Sequence, residues 1–124
     1  MKSKIFDCVT FFDNNYMFDI RYNILNKYVD YFIVCESIFD HRGNPKSKNF
    51  VLRSDYDKTK VKYFLLDKPF PKNNSIWSNQ AIQREFLLST TNFANPEDYI
   101  FFSDPDEIPN PEVLKNFKLE KKYG

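Results

Sequence analysis

Three acidic residues follow an apolar run in residues 99–111, which read YIFFSDPDEIPNP. Two of them, Asp104 and Asp106, are separated by a single residue, and their carboxylate oxygens are ligands that Mg²⁺ and Mn²⁺ prefer. The prolines of this segment restrict the backbone, so a bound ion would cost little conformational entropy. Such an ion would neutralise a diphosphate and stabilise it as a leaving group. The spacing therefore indicates a divalent-metal site, and an acidic turn that precedes a helix is the alternative interpretation.

Polar side chains also follow the other apolar runs of the chain. At the end of each run or just beyond it, they are Thr10 and Asp13 for the first, Glu36 and Ser37 for the second, and Asp104, Asp106 and Glu107 for the last. In open α/β sheets, ligands bind outside the carboxyl ends of the strands. If the runs are parallel strands, these acidic ends meet at one edge and repel one another unless a cation or a hydroxyl-rich ligand lies between them. The pattern thus predicts a ligand site at that edge.

Other residues that could take part in chemistry also have a simple structural interpretation. His41 is the only histidine, and it is predicted to be a surface residue of a loop. Arg84 stands beside Glu85, with which it could form a surface ion pair, and Trp77 is predicted to belong to the core. The loop around His41 is basic, which would suit either a bound phosphate or a solvated surface. Its cations are Arg42, Lys46, Lys48 and Arg53.

The elements that must position these residues alternate along the chain. Apolar runs predict strands at residues 4–12, 28–37, 61–67 and 98–104. Helical spacing and start signals predict helices at residues 16–28 and 75–92, and Asn110 with Pro111 predicts the start of another. The first helix is expected to bury one apolar face, made of Met17, Ile20, Ile24, Leu25 and Tyr28. The alternation predicts an α/β fold with a mostly parallel sheet flanked by helices.

Length and composition narrow the class of protein. The chain has 124 residues, 42% of them hydrophobic, which fits a single domain at residues 1–124 and excludes a disordered chain. Its 18 basic and 17 acidic residues nearly cancel, so no global field points to nucleic acid or to an anionic membrane. Two glycines are too few for the Gly-rich phosphate loop of the Rossmann or P-loop kind.

The start of the chain and its cysteines indicate a cytoplasmic protein. Asp7 interrupts the first apolar stretch, which therefore does not fit a signal peptide. No run approaches the ~18 apolar residues that a membrane span needs. Cys8 and Cys35 lie in apolar runs and lack the paired short spacing of zinc ligands, so we expect buried free thiols, as in a reducing cytosol.

Several segments taken together resemble glycosyltransferase family 17. In family order, the matching segments are IFDCVTFFDNNYMFDIRYNIL, VDYFIVCES, HRGNPK, WSNQAIQRE and DYIFFSDPDEIP. An ordered set that spans nearly the whole chain is more specific than any one of its motifs. The resemblance implies a GT-A fold, which is a Rossmann-like α/β sandwich with a D-x-D motif. It also implies a divalent metal, Mn²⁺ or Mg²⁺, and a UDP-sugar donor.

The resemblance further implies roles for individual residues. Asp104 and Asp106 would hold the metal ion. The residues implied in donor binding are Thr10, Phe11, Asp13, Glu36, Arg84 and Asp104. Arg84 would contact the phosphate or the sugar of the donor, whereas Arg21 would brace the first helix. The implied reaction transfers a sugar from the UDP-sugar to a hydroxyl of a glycan acceptor. The resemblance implies that this sugar is N-acetylglucosamine.

The chain departs from the family pattern at one point and matches only part of it. The family commonly has Asn-Glu after the aromatic pair of the first strand, where this chain has Asp13 and Asn14. The match is to the N-terminal, donor-binding half, so the acceptor site and the catalytic base are expected elsewhere. One alternative is a module, or half of a split assembly, that binds a nucleotide sugar without completing transfer. Another is a Mg²⁺-dependent phosphohydrolase with Asp104 as nucleophile, which lacks the accompanying Lys and Thr motif elements.

Overall fold

The predicted alternation of strands and helices is confirmed. The computed structural model of the chain describes residues 4–92, 94–104 and 107–112. In chain order its elements are β1 (Ile5–Phe11), α1 (Asn15–Leu25), β2 (Tyr31–Ser37), β3 (Val61–Leu66), α2 (Ile76–Ser89) and β4 (Tyr99–Ser103). Residues 111 and 112 are helical, as the Asn110-Pro111 signal predicts, and the rest of that predicted helix lies outside the described residues.

The four strands form one sheet in the order β3-β2-β1-β4, and every neighbouring pair is parallel. This confirms the α/β fold, and the order is that of the first four strands of a Rossmann-like sheet. The chain moves from β1 to β2 and β3 on one side and then returns to place β4 on the other side. The strand order therefore reverses between β1 and β4, which is where such sheets hold their ligands.

The two central strands, β1 and β2, are buried on both faces of the sheet, to which their successive side chains point in turn. On the α1 face, strand residues such as Ile5, Val9 and Phe32 pack with residues of the helix. On the α2 face, Phe6, Cys8, Ile33 and Cys35 pack with Leu87. Strands buried on both sides read as continuous apolar runs, which is why their positions could be predicted so closely.

Helix α1 buries a different face from the predicted one. Of the five residues expected inward only Leu25 is fully buried, and Ile24 is 41% exposed. The buried residues of the helix are Phe18, Arg21, Tyr22 and Leu25. They follow the i, i+3, i+4, i+7 spacing of one helical face. The prediction was wrong because this face includes an arginine, which a search for apolar residues passes over.

Arg21 forms a buried ion pair with Asp7 of β1. Both side chains are 1% exposed, and the guanidinium Nε and Nη2 donate to the two carboxylate oxygens of Asp7 at 2.6 and 3.0 Å. The third contact runs from Nη1 to the main-chain oxygen of Glu107, at 2.6 Å. Burial raises the pKa of the Asp7 carboxyl, and the hydrogen bonds and charge of Arg21 oppose that rise. The predicted brace is thus confirmed and extends beyond the helix to the segment after β4.

Both cysteines are free and buried, as predicted. Burial raises the pKa of each thiol to about 12, so neither is a thiolate at neutral pH. Within residues 4–92, 94–104 and 107–112, none of the helices has the length and hydropathy that a membrane crossing requires.

Replacing Arg21 with leucine should lower the free energy of unfolding by about 3–5 kcal/mol, because the buried carboxylate of Asp7 loses its partner. Urea denaturation followed by circular dichroism measures the change. The matched control is Arg53→Leu, since Arg53 is 51% exposed and pairs with Asp55 at the surface. Equal losses in the two variants would contradict a special role for the buried pair.

Candidate functional site

A cleft of about 360 Å³ opens where β1 and β4 end, at the reversal of strand order. Its volume lies in the range of small-molecule sites in proteins. Its lining combines aromatic rings, side-chain amides and two charged groups. The lining residues are Thr10, Phe11, Phe12, His41, Trp77, Gln80, Gln83, Arg84, Phe102 and Asp104. The cleft lies at the edge of the sheet where the polar strand ends predicted a ligand site.

Helix α2 supplies one wall of the cleft. Because it connects the carboxyl end of β3 to the amino end of β4, its first residues lie at the carboxyl edge of the sheet. Ser75 begins the helix by accepting a hydrogen bond from the backbone N–H of Ser78 at 3.1 Å. Trp77, Gln80 and Arg84 then follow at spacings of three and four residues, which places them on one face.

The guanidinium of Arg84 lies over the ring of Phe102, with its central carbon 4.8 Å from the ring centroid. This cation–π contact holds the side chain against β4. The ion pair with Glu85 that the sequence suggests is absent from the salt bridges of the described residues. The positive charge of Arg84 is thus presented to the cleft, where Asp104 is the other charged lining residue among those that the structure describes.

His41 is half-buried in the loop and belongs to the wall of the cleft, a position that its prediction as a surface residue of a loop did not specify. Its Nε2 lies 2.6 Å from Oε1 of Gln83, and the Gln83 amide N–H donates to the carbonyl of Cys35 at 3.1 Å. Since the amide nitrogen already donates, Oε1 must accept, and His41 Nε2 carries the proton. The amide of Asn79 donates to the carbonyl of His41 at 2.8 Å, which ties the loop to α2.

Sequence reasoning missed this network because its members are far apart in the chain. His41 and Gln83 are separated by 42 residues, and Gln83 is buried although glutamine is usually exposed. The usable signal was a polar residue on the buried face of a helix, in register with Leu87 four residues later.

Asp104 follows β4, and its side chain is exposed in the cleft. Its backbone N–H donates to Glu107 Oε1 at 3.2 Å, and the N–H of Glu107 donates back to the Asp104 carbonyl at 3.0 Å. Arg21 holds the carbonyl of Glu107, so the buried ion pair positions this turn. Asp106, the second predicted metal ligand, lies outside the described residues.

The described part of this turn supplies one hard oxygen donor to the cleft, the carboxylate of Asp104. That group fits a divalent ion which keeps several waters and is shared with substrate phosphates. Among residues 4–92, 94–104 and 107–112, no group of three or more metal-ligating side chains is formed. Asp104 and Asp106 as a metal pair therefore stay a prediction.

The model of glycosyltransferase family 17 matches the chain over residues 1–124. The chain belongs to glycosyltransferase family 17. Among curated proteins it is similar to β-1,4-mannosyl-glycoprotein 4-β-N-acetylglucosaminyltransferase of Homo sapiens and of Rattus norvegicus, with 34% identity over 114 residues in each case. The Mus musculus protein of the same name is 33% identical. These matches cover 83% of this chain but only 21% of each relative, and no solved structure matches it.

Some of the remaining residues predicted to bind the donor line the cleft of this family 17 chain, and others do not. Thr10 and Phe11 line the cleft, and the buried ring of Phe11 packs edge-on against Phe50 with centroids 5.1 Å apart. Asp13 is exposed beyond the end of β1 and is not one of the lining residues. A carboxylate in the turn from β1 to α1 was predictable, but its direction relative to the cleft was not. None of these contacts tests donor binding itself.

Glu36 lies away from the cleft lining, fully buried on the α1 face of the family 17 sheet. Its carboxylate accepts hydrogen bonds from Lys46 Nζ and the Asn49 N–H, both at 2.7 Å, and from the Phe50 N–H and the Tyr63 hydroxyl, at 3.1 and 2.7 Å. Burial alone would raise the pKa of Glu36, but these hydrogen bonds outweigh it and lower the pKa. The structure gives Glu36 an anchoring role for the following loop, and donor contact by Glu36 stays a prediction.

Trp77 is the clearest departure from the sequence-based expectation in the family 17 chain. It was predicted to belong to the core, but it is 77% exposed and lines the cleft. The prediction was wrong because the size of a tryptophan ring normally favours burial, whereas position two of α2 lies at the edge of the sheet.

Glu36→Gln should lower the free energy of unfolding at pH 7 by about 2 kcal/mol, because the charge-assisted hydrogen bonds are lost. The pKa of Glu36 is lower in the folded than in the unfolded chain, so its contribution is complete above the ordinary glutamate pKa and is lost as the pH falls through the folded value. Urea denaturation at a series of acid pH values should therefore show the variant and parent converging. The matched control is Glu85→Gln, because Glu85 is exposed on α2. If the difference in unfolding free energy between Glu36→Gln and the parent stayed constant as the pH falls, the stabilising role of the Glu36 carboxylate would be contradicted.

Proposed function

We propose that this chain binds the donor in a metal-dependent glycosyltransferase that moves N-acetylglucosamine from a UDP-sugar to a hydroxyl of a glycan. Membership of family 17 supports glycosyl transfer. The printed names of the relatives support N-acetylglucosamine as the sugar and a mannosyl glycoprotein as the acceptor class. The chain covers 21% of those relatives, so their complete activity is extended to it only as part of this proposal.

The observation that carries the proposal is the charge pattern of the cleft. Arg84 and Asp104, the two charged residues that line the cleft in the described part of the chain, are of opposite sign and both lie on the β4 side. A nucleoside diphosphate offers anionic oxygens to a guanidinium, and it shares a divalent cation with a carboxylate. The pair thus fits a metal–diphosphate better than it fits a neutral ligand.

The metal would be Mn²⁺ or Mg²⁺, held by Asp104 and, in the D-x-D pattern, by Asp106. When bound, it would supply positive charge that offsets the charge developing on the departing diphosphate. Arg84 would add to this effect through hydrogen bonds to the phosphate oxygens. The cation–π contact with Phe102 limits the freedom of the Arg84 side chain, so little entropy would be lost on binding.

In the proposed reaction the bond from the sugar anomeric carbon to the UDP oxygen breaks, and its electron pair leaves with UDP. A hydroxyl oxygen of the acceptor forms the new bond to the same carbon, and the hydroxyl proton passes to a base. Thr10 and Phe11, which line the cleft at the end of β1, would contact the donor nucleotide, and Glu36 would keep the adjacent loop in place through its hydrogen bonds.

A second candidate function is donor binding without transfer by this chain alone. Among the described lining residues, the side chains with the chemistry of a general base are Asp104 and His41. Asp104 is assigned to the metal, and one nitrogen of His41 is engaged with Gln83. A turnover assay with UDP-N-acetylglucosamine and a mannosyl oligosaccharide separates the two functions. Release of UDP supports transfer, whereas calorimetric binding without UDP release supports the second candidate.

Asp104→Asn should weaken binding of UDP-N-acetylglucosamine about tenfold or more in the presence of Mn²⁺ and should reduce the benefit of the metal, because a neutral amide is a poorer cation ligand. Isothermal titration calorimetry with and without Mn²⁺ measures both effects. Asp67→Asn is the matched control, since Asp67 is exposed directly after β3 and does not line the cleft. If the parent bound UDP-N-acetylglucosamine with the same affinity with and without Mn²⁺, the role of Asp104 as a metal ligand would be contradicted.

Arg84→Gln should weaken binding of UDP itself about tenfold, because a charge-assisted hydrogen bond to the phosphate is lost, and the loss should shrink at high salt. The same calorimetric titration with UDP and Mn²⁺ at low and high NaCl tests this. Arg53→Gln, an exposed arginine whose contacts lie with Asp19 and Asp55, should leave the affinity unchanged. Equal affinity in Arg84→Gln and the parent would remove Arg84 from the donor site.

A further inference from the structure

The cleft has two walls of different chemistry. The charged wall, on the β4 side, consists of Arg84 and Asp104. The neutral wall consists of His41 with three residues of α2, namely Trp77, Gln80 and Gln83. Trp77 and Arg84 are seven residues apart on α2, about 10 Å along the helix axis. A ligand long enough to span the cleft would therefore meet charge at one end and an uncharged surface at the other.

The indole of Trp77 is the dominant feature of the neutral wall. It is 77% exposed, although a side chain of this size gains free energy from burial. Among the described residues, neither an aromatic ring nor a cation stacks on it, in contrast to Phe12, whose ring has Lys46 Nζ 5.5 Å from its centroid. The face of the indole is thus free to receive a ligand.

Polar groups flank the indole without adding charge. Gln80 lies one turn further along α2 and also lines the cleft. His41 directs Nε2 to Gln83, so its other ring nitrogen is left for a hydrogen bond with a ligand. A pyranose ring has an apolar C–H face and a rim of hydroxyls. Its C–H face can stack on the indole while its hydroxyls form hydrogen bonds with the flanking polar groups.

We propose that Trp77 is the stacking platform for a pyranose ring in this cleft, with Gln80 and His41 binding hydroxyls at the rim of the ring. This inference rests on the proposed function, because the charged wall is taken to hold the diphosphate. The ring is either the sugar of the donor or the sugar of the acceptor that meets it. The shared chemistry is an uncharged hexose against an exposed indole.

The experiment uses Trp77 as its own probe, since it is the only tryptophan of the chain. Its fluorescence emission is recorded during titration of the full chain, with Mn²⁺ present, by UDP, by UDP-N-acetylglucosamine, and by a mannosyl oligosaccharide added together with UDP. Calorimetry on the same samples measures affinity independently of the indole. A response to UDP-N-acetylglucosamine beyond that to UDP identifies the donor sugar, and a response only to the oligosaccharide identifies the acceptor sugar. Both results support the proposal.

Substitution of Trp77 supplies the second measurement. Trp77→Ala should weaken calorimetric binding of the sugar-bearing ligand about tenfold and leave UDP affinity unchanged, and Trp77→Phe should restore part of the loss. The exposure of Trp77 predicts that both variants fold, which circular dichroism checks. Ile76→Ala is the matched control, because Ile76 is a neighbouring exposed apolar residue of α2 that does not line the cleft.

Three outcomes would overturn the proposal. A full emission response to UDP alone would mean that the indole stacks on the nucleobase. Calorimetric binding with emission that none of the ligands changes, or with affinity for the donor and the oligosaccharide equal in Trp77→Ala and the parent, would remove Trp77 from the site and leave the proposed function standing. No calorimetric binding of any of these ligands would contradict the proposed function and this inference together.

Discussion

The site depends on a single buried ion pair. Asp7 is in β1, Arg21 is in α1, and the carbonyl that Arg21 also binds belongs to Glu107, after β4. One guanidinium therefore fixes the helix to the sheet and fixes the turn that carries Asp104. Two buried charges cost much desolvation free energy, which is offset here because both carboxylate oxygens and three guanidinium nitrogens have partners. The buried ion pair therefore positions the exposed carboxylate of Asp104, because Arg21 also binds the turn that carries it.

A similar arrangement holds the other side of the site. Glu36 is buried at the end of β2 and binds two backbone N–H groups of the loop that follows. That loop also carries His41, whose carbonyl and ring are bound by Asn79 and Gln83 of α2. The loop is thus held from the α1 face by a carboxylate and from the α2 face by two amides. Buried polar groups whose hydrogen bonds are satisfied place the loop, and the cleft keeps its lining free for a ligand.

The fold could be predicted from sequence almost completely, whereas the site could be predicted only in part. Continuous apolar runs mark strands buried on both faces, and alternation with helices dictates a parallel sheet. Thr10, Arg84 and Asp104 were found because they follow strands or belong to a familiar motif, and all three line the cleft. Trp77 was misjudged and the hydrogen bonds of His41 were missed, since exposure of a large ring and contacts between distant segments cannot be deduced from local spacing. The spacing of apolar residues also could not reveal that Arg21 is buried.

The position of β1 has a consequence for synthesis on the ribosome. Of the four described strands, β1 is made before the others, yet it lies inside the sheet between β2 and β4, and β4 is made after the other three. Its partnership with β2 can form early, but the contact from Arg21 to Glu107 spans 86 residues. Until that stretch has emerged, one edge of β1 has no strand beside it and Arg21 has only Asp7. Arg21 can therefore position the turn that carries Asp104 only after β4 has been made, and nascent chains released before β4 would expose an unpaired strand edge.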